Sequence, residues 1–293
     1  MLDFKEIELS DSEWIKPILA ESGFNGSEYS FSSNFIWRKV YNTQVCKYKE
    51  FYIAKSGKEE CSFVFPSGKG DYKDLINKLK EYCKSKGGQL VIHMVNKDNL
   101  KILQDLFGDE IEIGTNRDDY DYVYNMTDLT TLRGKKYSSK RNHINRFIEN
   151  NWSFEPITEE NIEECIEMNK KWCKQNDCYD DKSKREEACA VGQAFKHYFD
   201  LNMEGGLLRV DDEVVAFTIG DPLNEDTYLI HIEKALSDYQ GAYPTINKEF
   251  ALYAAQDYKY INREDDAGSE GLRKAKLSYK PAFLLEKYWV KFI

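Results

Sequence analysis

The feature that most limits how this chain can fold is an order of elements that occurs twice. In the first half, apolar periodicity predicts strands over 44–49, 51–55 and 60–65, a helix over 71–85, a strand over 89–95, a helix over 97–107, and strands over 110–113 and 121–126. The second half predicts helices over 158–176 and 184–202, then a hairpin of 206–210 and 213–220 turning at Asp211-Asp212. A strand over 227–233, a helix over 244–256, a strand over 258–261 and a closing strand over 283–292 follow. In outline each half runs hairpin, strand, helix, strand, helix, strand, which calls for two α/β units built on mixed sheets. A faint echo in wording, Tyr72-Lys73-Asp74-Leu75-Ile76-Asn77-Lys78 against Tyr243-Pro244-Thr245-Ile246-Asn247-Lys248, agrees with an old duplication.

A different kind of segment lies between the halves. From Arg133 to Arg146 there are six Lys or Arg residues and no acid, with Ile144, Phe147 and Ile148 giving one end an apolar face. This predicts a basic connecting helix over 132–150, a first domain over 1–131 and a second over 151–293. The bases suit contact with a nucleic-acid phosphate backbone, but they would equally suit a soluble linker that offsets an acidic remainder.

Composition sets the outer bounds. The net charge is −10, which excludes a general nucleic-acid coat protein and leaves room only for a local basic groove. No apolar run approaches the ~20 residues that span a bilayer, and the first residues lack the basic-then-apolar order of a signal peptide, so the expected location is cytoplasmic. Seven scattered cysteines, an odd number, read as reduced and mostly buried thiols. Cys173 and Cys178 lack the spacing and the histidine of a zinc site, so no metal is expected.

Three stretches of the second half could carry chemistry. Along 227–233, Leu229, His231 and Glu233 alternate onto one face, and a buried Glu233 needs a partner or a cleft. It would serve either as a general base or in a structural ion pair with Lys or Arg. At the turn before the 244–256 helix, Gly241 and Ala242 keep side chains away and Pro244 suits a first helical turn. The free N–H groups there could meet an anion, or the turn could simply be tight. Last comes Asn262-Arg263-Glu264-Asp265-Asp266-Ala267-Gly268, followed by bases with no acid between Leu272 and Pro281. Residues leaving a sheet at this position often contact ligands. Arg273 and Lys276 share a helix face, with Lys280 beyond, and they would neutralise donor phosphates unless they form a solvated surface.

The segment Gly134-Lys135-Lys136-Tyr137-Ser138-Ser139-Lys140-Arg141-Asn142-His143-Ile144-Asn145-Arg146-Phe147 and the ending Gly271-Leu272-Arg273-Lys274-Ala275-Lys276-Leu277-Ser278-Tyr279-Lys280-Pro281 resemble the family that contains the C-terminal catalytic domain of bacterial phosphatidylglycerol lysyltransferases. The chain looks closest to its soluble stand-alone members. The resemblance spans nearly the whole chain and implies two tandem GNAT-like acyltransferase domains, similar to Fem-type aminoacyl transferases. It further implies movement of an aminoacyl group from a charged tRNA to an acceptor: a small molecule, a peptide or a lipid headgroup.

On that basis Glu233, Asn262, Glu264 and Asp266 are expected near the acceptor. Gly241, Ala242, Tyr243, Arg273, Lys276, Lys280 and Arg141 are expected near the donor. The lysyltransferases carry a membrane portion, whereas a soluble or peripheral acceptor is expected for this chain. The GNAT coenzyme A loop reads Arg or Gln, two residues, Gly, any residue, Gly or Ala; here Asp238 and Tyr243 stand at its ends, and an acid there repels a pyrophosphate. Charged tRNA is therefore the first expectation for the donor. An acyl-CoA-dependent N-acyltransferase and a non-catalytic binding module are the alternatives.

Overall fold

The computed structural model describes residues 2–57, 59–178 and 181–293. It divides into two compact units: Met1–Asp121 with Asp265–Glu270 and Leu284–Ile293, and Tyr122–Glu264 with Gly271–Phe283.

The first unit is built on a mixed sheet in the order Lys5–Glu6, Gln44–Tyr48, Phe51–Lys55, Ser62–Val64, Val91–Val95, Tyr288–Phe292, Ile111–Thr115. A parallel pair in it, Ser62–Val64 with Val91–Val95, is joined through the helix Tyr72–Ser85. That helix forms because Leu75, Ile76, Leu79 and Cys83 recur on a single face, and all four are buried. Asp71 caps its start by accepting from the Asp74 N–H. The core gathers these residues with Phe51, Ile53, Phe63, Phe65, Ile92 and Val290.

The second unit carries the order Phe283–Leu285, Asp121–Asn125, Tyr260–Asn262, Thr227–Ala235, Glu213–Pro222, Glu204–Val210, Trp152–Pro156. The expected hairpin is present, with Val210 opposite Glu213. Thr227–Ala235 and Tyr260–Asn262 are parallel and joined through the helix Ala242–Ala254. Ile246 and Phe250 face inward as expected, whereas Tyr253 is 50% exposed, its ring set against Phe154 and Phe250.

Two strands change sheets relative to the sequence order. Asp121–Asn125, expected to end the first half, pairs with Tyr260–Asn262 in the second sheet. The ending, expected to close the second sheet, supplies Tyr288–Phe292 to the first, between Val91–Val95 and Ile111–Thr115. The physical reason is non-local: Val290 and Phe292 complete the first core, and alternation along a strand does not say which sheet receives it. The basic stretch is the short helix Ser138–Phe147 and belongs to the second unit, with Ile144 and Phe147 buried. All seven cysteines are free and five are buried. Among the described residues no helix is long and apolar enough to cross a membrane.

Candidate functional site

The second unit's parallel strands pair over a short distance only. Thr227, Tyr228 and Leu229 sit opposite Tyr260, Ile261 and Asn262, and there the register ends. Thr227–Ala235 nevertheless runs on, still paired along its other edge with Glu213–Pro222. Beyond Leu229 that pairing is not continued, and His231 and Glu233 stand on this further stretch, where the side chains of Glu264 and Arg263 meet them.

Glu233 is held from two sides. Arg263 donates from Nη2 to Glu233 Oε1 at 2.8 Å, and Asn247, from the helix Ala242–Ala254, donates to Oε2 at 3.1 Å. The side chains of Glu233 and Arg263 are 9% and 10% exposed. A buried carboxylate demands such partners. Arg263 Nη1 and Asn247 Oδ1 are themselves buried, without a hydrogen-bond partner among the described residues. The guanidinium lies beside Tyr279 and Tyr124, 4.9 and 5.7 Å from their ring centroids. Over the same Tyr279 ring, at 3.8 Å, sits the ammonium of Lys140, from Ser138–Phe147. Burial, with Arg263 adding repulsion, pulls Lys140 down to about 8 against the weaker pull of Glu233.

His231 is enclosed. Its Nε2 meets Asp221 Oδ1 at 2.8 Å and its Nδ1 meets Glu264 Oε1 at 3.1 Å. Burial opposes its charge, but the two carboxylates outweigh burial and raise it to about 10, so it is an imidazolium at neutral pH. It serves as a clamp holding Glu264 to the sheet. Asn262 is fully buried and its Oδ1 accepts the Glu264 N–H at 2.7 Å, fixing the left-handed turn at Glu264. Lys276 is also buried; its ammonium donates to the carbonyls of Arg263 and Glu264 at 2.5 and 3.2 Å.

The structure therefore brings Glu233, Asn262 and Glu264 to one end of the second sheet. Asp266 lies in the first unit, 3.7 Å from Arg117. Lys276 braces the backbone of this end, Arg273 is half-buried, and Lys280 is exposed just past the helix Glu270–Ser278. Arg141 donates to the carbonyls of Leu132 and Gly134 at 2.5 and 2.8 Å, closing its own turn.

At Gly241, φ is +92° and a Cβ would run into the carbonyl of His143, so this glycine permits a close helix contact. Ala242 is buried and its N–H bonds Tyr239 O, while Pro244 has no N–H to offer. Few donors remain free at this helix start to meet an anion. Tyr243 is exposed and its hydroxyl accepts from Trp172 Nε1 at 3.0 Å. Gln175 pins the turn through Asp238 and Ser237.

Sequence reasoning did not assign Asn247, Tyr124 or Tyr279 to the site; it placed Arg263 among the residues leaving the sheet and Lys140 among the bases of the connecting helix, neither of them beside Glu233. Lys140 and Tyr279 do lie in the two motifs that carry the family resemblance, and Arg263 directly follows Asn262. A cavity of about 720 Å³ lies elsewhere in the second unit, lined by Glu163, Glu167, Asp211, Asp212 and Tyr239 among others. Its many carboxylates would repel an anionic donor, so the end of the sheet around Glu233 and not this cavity holds the better-suited chemistry.

Comparison with known proteins agrees with this architecture. The model of the family "Phosphatidylglycerol lysyltransferase, C-terminal" matches residues 20–291. A conserved protein of unknown function from Bacteroides thetaiotaomicron has a solved structure 37% identical in sequence, covering 100% of both chains with a TM-score of 0.95. L-PGS from Bacillus licheniformis is 17% identical, covers 96% of this chain and 91% of its own, and has a TM-score of 0.67. FemX is 11% identical, covers 99% and 97%, and has a TM-score of 0.67. These last two share the fold, in line with the tandem GNAT-like α/β expectation. An uncharacterized protein of Mycoplasmoides gallisepticum is 29% identical over 214 residues, 67% of each chain.

Proposed function

The chain belongs to the phosphatidylglycerol lysyltransferase C-terminal family, and from that premise we propose that it is an acyl-group transferase that moves an aminoacyl group from a charged tRNA to a soluble or peripheral acceptor. The observation that carries this reading is the buried Glu233 held between Arg263 and Asn247 on the stretch of Thr227–Ala235 that runs past its last partner at Leu229.

In the proposed reaction the acceptor's hydroxyl or amine attacks the ester carbonyl of the donor. A bond forms between the nucleophile and that carbonyl carbon. The ester C–O bond to the tRNA ribose breaks, and the acceptor's proton ends on the ribose hydroxyl. Glu233 is the group to carry that proton. Each carboxylate oxygen has two lone pairs and each is used by one protein donor, which leaves capacity for the acceptor's O–H or N–H. Arg263 and Asn247 fix the carboxylate's direction, and orienting the nucleophile supplies much of the rate. Asn262, His231, Lys276 and Glu264 act one step back by holding this end of the sheet. The exposed bases Lys135, Lys136, Arg146, Lys274 and Lys280 of the same unit suit a tRNA backbone.

The test is transfer of a labelled aminoacyl group from charged tRNA to small hydroxyl and amine acceptors, paired with filter binding across a salt series. Binding should weaken steeply with salt. Glu233→Gln should slow transfer by about 10²- to 10⁴-fold with the circular dichroism spectrum unchanged. Absence of charged-tRNA binding at low salt, or full activity in Glu233→Gln, contradicts the proposal.

A further inference from the structure

Three charged side chains from distant parts of the chain meet inside the first unit. Lys287 directly precedes the strand Tyr288–Phe292, Asp121 opens the strand Asp121–Asn125, and Glu28 lies in the turn Ser27–Tyr29. The Lys287 ammonium is 2.7 Å from Asp121 Oδ1 and 2.7 Å from Glu28 Oε2. The three side chains are 3%, 0% and 11% exposed. Two buried carboxylates therefore share one ammonium.

The two are not held alike. Asp121 accepts the Ser27 N–H at 2.8 Å, the Ser27 hydroxyl at 3.2 Å and a hydrogen of the ammonium. Glu28 Oε2 has the ammonium's charge beside it but no hydrogen-bond partner among the described residues. Its Oε1 folds back over Gly26, where a Cβ would collide with it. A like charge nearby disfavours ionisation, and hydrogen bonds to a carboxylate favour it. Glu28, with fewer donors, is the one to take a proton.

We propose that this cluster is a proton switch within the first unit: it closes with a proton on Glu28, and the turn Ser27–Tyr29 loosens as that proton leaves to solvent. The switch is independent of the function proposed above.

Burial, reinforced by Asp121, lifts Glu28 from 4.5 to about 7 against the pull of Lys287. Tyr29, next to it in the turn, is pushed well above its usual value by burial first and by Glu28 second. Asp265 supports the charge on Lys287, and Asp119 lies within reach of that charge. A proton held more tightly in the folded chain stabilises it. That contribution is fully present below about pH 4.5 and is lost as the pH rises through about 7.

Amide hydrogen exchange of the full chain between pH 5 and pH 8, corrected for the intrinsic rate, tests this. The amides of Ser27, Tyr29 and Ser30 donate to Asp121 Oδ2, Gly26 O and Ser27 O, so they read the turn directly. Over that range their protection should fall about a hundredfold further in the wild type than in Glu28→Gln. If that variant does not fold, the wild-type protection and the Cδ resonance of carbon-labelled Glu28, followed over the same range, still decide the matter.

A Glu28 resonance that titrates near neutral pH, together with the loss of protection, supports the switch. Titration in the usual carboxylate range, wild-type protection that stays flat, or an equal fall in Glu28→Gln overturns it.

Discussion

Both units contain the same device, a parallel strand pair joined by a helix, and they use it differently. In the first unit Ser62–Val64 stops where its pairing with Val91–Val95 stops, and Phe63 and Phe65 fill the core beside it. In the second unit Thr227–Ala235 continues past its last partner, and the extra length carries His231 and Glu233. One copy is closed by apolar packing; the other carries charged residues past its last pairing. On the function proposed above, the length of one strand separates support from chemistry.

Two lysines make the same contrast. Lys287 in the first unit is 3% exposed in its side chain and lies 2.7 Å from both Asp121 and Glu28. Burial opposes its charge, but the two carboxylates more than compensate and hold its pKa well above the usual value. Lys140 in the second unit is drawn the other way by burial and Arg263. The first is a satisfied structural charge; the second, among the described residues, has no ion pair and rests on the Tyr279 ring.

The largest expected effect follows from that pair. Lys287→Met strands two carboxylates and should cost about 3–5 kcal/mol, whereas Lys140→Met should change stability by less than about 1 kcal/mol. Urea unfolding of both variants measures this, and equal losses would erase the distinction.

The next effect concerns His231. Its pKa is raised in the folded state from 6.5 to about 10, so its contribution to stability is fully present below about pH 6.5 and is lost as pH rises through about 10. The stability gap between the wild type and His231→Gln should therefore narrow from pH 6 to pH 10. A gap that widens over that range would mean the imidazole is neutral when folded.

The smallest is Gly241→Ala. A Cβ at φ +92° meets the His143 carbonyl, and a loss of about 1–3 kcal/mol is expected in thermal unfolding. A silent substitution that instead weakened donor binding would return this turn to a ligand role.

Much of the frame was legible from local pattern. The helices Tyr72–Ser85 and Lys97–Phe107, the hairpin at Asp211-Asp212 and the strand Thr227–Ala235 carry their own periodicity and caps. The exchange of Asp121–Asn125 and Tyr288–Phe292 between sheets was not legible, because pairing partners far apart in sequence leave no local mark. Within the site, Glu233 showed itself as an acid on an apolar strand. Lys276 did not: among bases it looks like a solvated phosphate contact, and its burial depends on two carbonyls turned inward at Arg263 and Glu264. Lys140 was hidden in the same way, since its neighbours Tyr279 and Arg263 are more than a hundred residues away.

The central claim, that the end of the second sheet around Glu233 holds the reacting ester, is tested most directly by a crystal structure with a non-hydrolysable 3′-aminoacyl-adenosine amide. The account predicts its carbonyl beside Glu233, within reach of Arg263 and Lys140. A ligand seated instead in the acidic cavity near Glu167 and Tyr239, with the Glu233 end undisturbed, would contradict it.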